Sequence, residues 1–174
     1  MEARCKCGAV RFTTPVPKPL ALYICHCADC RRQAGSTFGT SAIFPRFELP
    51  KADMLSCYTR LTQSGHTLYC YFCRGCGTRL LHATPGKKVV SVKGMCLSDI
   101  DWDSATHIWT KSAMVPIPEG SESLCEEPAG SDYSISQSAS DETASSANSV
   151  TEAEAAEAKK LGTIHGACEL SGPV

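Results

Sequence analysis

Several things the sequence has little of narrow its function first. Surplus charge is almost absent: 17 Lys and Arg stand against 18 Asp and Glu, a net charge of −1. Without a basic field there is nothing to gather a polyanion, so neither nucleic acid nor an anionic membrane surface is an expected partner. Aromatic residues are sparse, and Tyr71, Phe72, Trp102 and Trp109 have no clustered Lys or Arg around them. They read as core or sheet-face residues, not as a platform for stacked bases. Long apolar runs are also missing. A stretch such as Leu20 to Ile24 falls far short of the about 20 residues that cross a bilayer. The opening MEARCKCGAV contains no apolar stretch of the signal-peptide kind, so the expected compartment is the cytoplasm, with the nucleus as the alternative.

Cysteine, by contrast, is abundant. There are 12, and seven fall into three tight groups: Cys5 and Cys7, then Cys25, Cys27 and Cys30 within CHCADC, then Cys73 and Cys76. Thiols one to three residues apart form poor disulfides with each other, and the expected compartment disfavours them. They are well spaced to aim thiolates at one metal ion. Structural zinc takes four protein ligands, and seven divides into four plus three. The two pairs make a closed four-thiolate site from Cys5, Cys7, Cys73 and Cys76. The triple makes a tripod on a second ion with one position open, the layout of a catalytic zinc. Two alternatives stand beside this partition. The triple and Cys73/Cys76 would put five thiolates on one ion, or His26, His66, His82 or His107 would close the tripod. His26 lies between two ligands and is expected to point away from the metal. An ion held by three thiolates is a weak Lewis acid, better suited to binding a soft thiol and favouring its thiolate than to acidifying water. That points to a thiol substrate, glutathione being the obvious cytosolic one.

The chain divides near Pro118. Before it, short β-rich runs recur (AVRFTT, LALYICHC, FGTSAIF, LSCYTRL, TLYCYFC, VVSVKG and THIWTK) between Pro, Gly and Ser punctuation. This predicts a mainly β domain over residues 1–118, with one short helix over ADCRRQAG stopping at Gly35. Residues 119–174 are rich in Ser and acid, and no Lys or Arg occurs between Lys111 and Lys159. That composition predicts a disordered acidic tail, open to phosphorylation, with a transient helix over Thr151 to Leu161.

CKCGAVRF, CHCADCRRQAGSTF, FCRGCGTRL and THIWTKS, taken together in this order and spacing, resemble the glutathione-dependent formaldehyde-activating enzyme / centromere protein V family. The resemblance runs from Cys5 to about Pro118. It implies a zinc-binding domain of the β-tent kind with two zinc ions. One is structural, at Cys5, Cys7, Cys73 and Cys76; the other is catalytic, at Cys25, Cys27 and Cys30. It also implies carbon–sulfur lyase chemistry, the reversible joining of formaldehyde and glutathione. The sequence departs from the family at Val115, where a tryptophan is usual, and in GMCLSD after the VVSVKG strand.

Among single residues, Arg32 is the candidate anchor for a substrate carboxylate, since a guanidinium fork suits one. Gly35 and Ser36 read as a turn, and Gly8 and Gly77 as parts of metal loops. Cys57, Cys70 and Cys96 read as buried thiols. The leading function is a zinc-dependent lyase acting on a glutathione–aldehyde adduct. The alternative is a non-catalytic zinc module for protein interaction; a redox enzyme ranks last, because none of the three buried thiols has an evident activating neighbour.

Overall fold

A computed structural model describes residues 1–51, 53–62 and 65–128. The chain is mainly β with one α-helix. In order it forms β1 (Glu2–Arg4), β2 (Arg11–Thr13), β3 (Ala21–Cys25), α1 (Ala28–Ala34), β4 (Gly39–Pro45), β5 (Leu55–Leu61), β6 (Thr67–Cys73), β7 (Arg79–Ala83), β8 (Val89–Lys93) and β9 (Thr106–Ile108). β1 and β2 pair as a two-stranded sheet, and the other seven form one sheet in the order β5-β6-β7-β8-β4-β3-β9. Every pairing is antiparallel except β3 with β9.

The large sheet has two different faces because side chains alternate along each strand. Leu22, Ala42, Phe44, Leu55, Cys57, Tyr71, Leu81, Ala83, Val90 and Val92 point to one face and form the core with Ala3, Val10 and Phe12 from the small sheet. Their neighbours in the sequence, including Tyr23, Cys25, Ser41, His82 and Ser91, line a cavity on the other face. VVSVK on β8 therefore splits into Val90 and Val92 inside and Ser91 and Lys93 outside. This polar face is what the fold supplies to the site.

α1 begins where β3 ends. Cys27 is its N-cap, with the side chain accepting from Cys30 N, and Asp29 in the first turn complements the helix dipole. Gly35 ends the helix in the left-handed region at φ 59°, and Ser36 N donates to Arg31 O at 3.2 Å. The stop expected at Gly35 is thus a left-handed C-cap.

Past Pro118, where the sequence reading ends the domain, the chain runs on against β9. His107 N donates to Glu122 O and Leu124 N to His107 O, both at 2.8 Å, and Thr110 N donates to Leu124 O at 3.1 Å. Glu126 meets Lys111 in an ion pair. The tail disorder, phosphorylation and the helix over Thr151 to Leu161 concern residues outside those described. Among the described residues no helix is long and apolar enough to cross a membrane.

Candidate metal centres

The seven clustered cysteines assemble as four and three. Cys5, Cys7, Cys73 and Cys76 bring their sulfurs within 4.8 Å of one another, and so do Cys25, Cys27 and Cys30. In the four-thiol group Cys5 Sγ lies 3.5 Å from Cys7 Sγ, and Cys7 Sγ lies 3.7 Å from Cys73 Sγ. Sulfurs tetrahedral about zinc at its usual bond length stand about 3.8 Å apart, so the set fits that ion. Two loops present these thiols. Cys5-x-Cys7 turns through Gly8 at φ 76° and Cys73-x-x-Cys76 through Gly77 at φ 72°, conformations that favour glycine. Val10 N donates to Cys5 Sγ at 3.3 Å. Thr78 joins the loops: its hydroxyl accepts from Lys6 N and meets Cys76 Sγ, each at 3.2 Å. That hydroxyl, with the backbone N–H groups of Cys7 and Thr78, holds the Cys76 thiol down at about 5.

The tripod is built by the strand-to-helix junction. Cys25 ends β3, Cys27 caps α1 and Cys30 sits in its first turn. Gly39, opposite Cys25 on β4, makes room for it: a Cβ at Gly39 would lie 3.1 Å from Cys30 Cβ and 3.4 Å from Cys30 O. Of the three thiols, Cys27 is the one whose thiolate the hydrogen bonds favour. Hydrogen bonds with Cys25 and then Cys30 bring its thiol down to about 2, while Cys27 and Cys30 drive Cys25 far above the ordinary thiol value. Three thiols this close, one of them already ionised, form a donor set suited to a soft divalent cation.

The two groups differ in what surrounds them. Cys5 and Cys73 belong to the apolar core. The tripod opens into a cavity of about 490 Å³ on the opposite face of the large sheet. Among the described residues no fourth His, Cys, Asp or Glu ligand atom falls within 4.8 Å of all three tripod sulfurs. The histidines are accounted for. His66 and His82 are on the cavity wall. His26 is fully buried and points away from its cysteine neighbours, its Nε2 bonded to His107 Nδ1 at 2.9 Å.

Arg32 does not line this cavity. With Arg31, Ser36, Thr37 and Met114 it borders a separate open groove. The cations on the cavity wall are Arg60 and Lys87. Arg60 pairs with Asp29 at 3.0 Å, which ties β5 to the helix that carries Cys30. Sequence reasoning missed Arg60 and Ser91, considered His82 only as a fourth metal ligand, and read Trp109 as a core or sheet-face residue and not as cavity wall. His82 is held well below the usual imidazole range by burial and by Lys93, Arg79 and Arg60, so it is neutral. The one available signal was strand alternation, which needs the pairing before it can say which face is which.

A family model described as "Glutathione-dependent formaldehyde-activating enzyme" matches residues 1–112. Among solved structures, a Rhodobacter sphaeroides protein is similar, at 23% identity and a TM-score of 0.45, over 58% of this chain and 91% of that one. No curated protein matches the chain.

Proposed function

Since this chain belongs to the glutathione-dependent formaldehyde-activating enzyme family, we propose that it is a zinc-dependent carbon–sulfur lyase acting on a glutathione–aldehyde adduct. In this reading Cys5, Cys7, Cys73 and Cys76 hold a structural zinc, and Cys25, Cys27 and Cys30 hold a catalytic one. One observation carries it: the three-thiol group opens into a cavity large enough for a tripeptide, while the four-thiol group lies off that cavity with Cys5 and Cys73 in the core on the other face.

A zinc ion on three thiolates would bind the substrate thiol and favour its thiolate. The chain's own residues do the rest. The cavity wall holds the adduct away from bulk water, with Trp109, Ile43, Leu68 and Val89 giving it apolar area. Arg60 stands on that wall as the donor for a substrate carboxylate, the role expected of Arg32. In the synthetic direction sulfur forms a bond to the carbonyl carbon, the carbonyl π electrons move to oxygen, and oxygen takes the proton the thiol gave up. Lysis is the reverse.

The test is the rate of S-hydroxymethylglutathione formation from formaldehyde and glutathione, followed by exchange spectroscopy on the zinc-loaded protein. Acceleration over the uncatalysed rate, lost by at least a hundredfold in Cys27→Ser, is expected. The absence of acceleration by the zinc-loaded protein would overturn the lyase reading in favour of a non-catalytic zinc module.

A further inference from the structure

The cavity face of the sheet carries an ammonium group that, among the described residues, has no carboxylate partner. Lys93 is the last residue of β8 and is half-buried. Alternation with Val90 and Val92, both in the core, turns it to the face that bears the tripod. Its Nζ donates to Ser41 Oγ at 3.2 Å, and Ser41 lines the cavity together with Cys25 and Cys30. The register fixes this neighbourhood. Lys93 stands opposite Ser41, and Ser41 opposite Tyr23, two residues along β4 from the Gly39–Cys25 pair. Gly39 in turn lies against Cys30. A cation in such a place needs negative charge near it. Among the described residues no carboxylate pairs with Lys93. The groups acting on it are Cys25 at the end of β3, Cys30 on α1, Cys70 on β6 and Arg79 on β7, and His82 on β7 also feels its charge. Burial and Arg79 draw its pKa down, and the three thiols draw it back up.

We propose that Lys93 is the counter-charge of the open metal site and makes that site select an anionic fourth ligand over a neutral one. The inference rests on the reading that the tripod holds an open metal ion. Three thiolates on a divalent cation leave one negative charge, and a fourth thiolate would make two. Lys93 removes one of these without touching the ligand, so it acts through the metal and is a positioning residue. Its charge cannot matter to a neutral ligand in the same way.

The experiment uses cobalt-substituted full-length protein and two probes, glutathione and imidazole, read by thiolate-to-cobalt and d–d absorption across pH. In Lys93→Gln, glutathione binding at pH 7 is expected to weaken about tenfold, with the pH midpoint of binding moved up by about one unit. Imidazole affinity should stay unchanged, and Lys93→Arg should retain both. Unchanged glutathione binding in Lys93→Gln overturns the proposal while leaving the open metal intact. Equal weakening of both probes also overturns it, because that marks a structural role. If imidazole binds the wild-type protein and glutathione does not at any pH, the thiol reading and the proposal fall together. If neither binds, the open site itself is refuted, and Lys93 with it.

Discussion

At the residue scale, Gly94 shows how tightly the end of β8 is fixed. A Cβ there would lie 2.2 Å from Trp102 Cζ2 and 2.7 Å from Thr40 Oγ1. The indole is rigid and Thr40 belongs to β4, so neither yields cheaply. Gly94→Ala is expected to cost about 2 kcal/mol, measured as a lowered urea midpoint; an unchanged midpoint would mean that the ring swings clear. Some residues were legible in advance. Cys57, Cys70 and Cys96 were read as buried thiols, and each is; burial raises Cys57 to about 11 and Cys96 to about 12. The grouping of the seven cysteines into four and three was legible because cysteine spacing is a local property and zinc takes four or three protein ligands. The cavity wall was not. Arg60, His82 and Ser91 come from three strands, and only the pairing brings them to one face. Arg32, next to the tripod in sequence, turns off the cavity because the helix rotates it away from Cys30.

At the element scale, the runs LSCYTRL and TLYCYFC coincide with β5 and β6. The helix expected over ADCRRQAG is α1 with its glycine cap. β1 and β7 were not anticipated. Glu2–Arg4 is too short and charged to read as a strand alone. RLLHA carries Arg79 and His82 directly after a metal loop, so its apolar core is only Leu80 and Leu81 in adjacent positions. Both elements owe their strand form to pairing and not to their own composition, β1 with β2 and through Ala3 with Leu97, β7 with β6 and β8. The two metal groups should therefore differ in what their loss does. Cys5→Ser breaks the link between the first loop and the β6–β7 turn, in the middle of the core. It is expected to abolish the cooperative thermal transition followed by circular dichroism. Cys27→Ser, on the cavity face, is expected to keep that transition. Equal loss in both variants would mean that the tripod also holds the fold together.

At the scale of the whole molecule, three histidines are held neutral. Burial lowers His26, His82 and His107, with His107 and Arg31 adding to the effect at His26, and Lys93, Arg79 and Arg60 at His82. Their folded pKa values lie below the unfolded value of about 6.5. Below that pH the unfolded chain takes up protons that the folded chain refuses, so stability falls as pH drops from about 6.5 toward the folded values. The urea midpoint of the zinc-loaded protein is expected to decline between pH 7 and pH 5. His82→Gln should make the decline shallower, which separates the histidine effect from acid loss of the metal. A variant with an identical slope would remove His82 from this account. The extent of the packed chain was read too short at Pro118, because composition alone does not show that backbone groups of residues 122–126 bond to β9 and its following turn. That segment also carries Glu127 and Pro128 to the cavity, next to Trp109. The chain has two tryptophans, and the other, Trp102, rests over Gly94 instead. One of the two indoles thus stands at the cavity wall, beneath the Lys111 ammonium at 5.1 Å, and the protein carries its own optical reporter of whatever enters there.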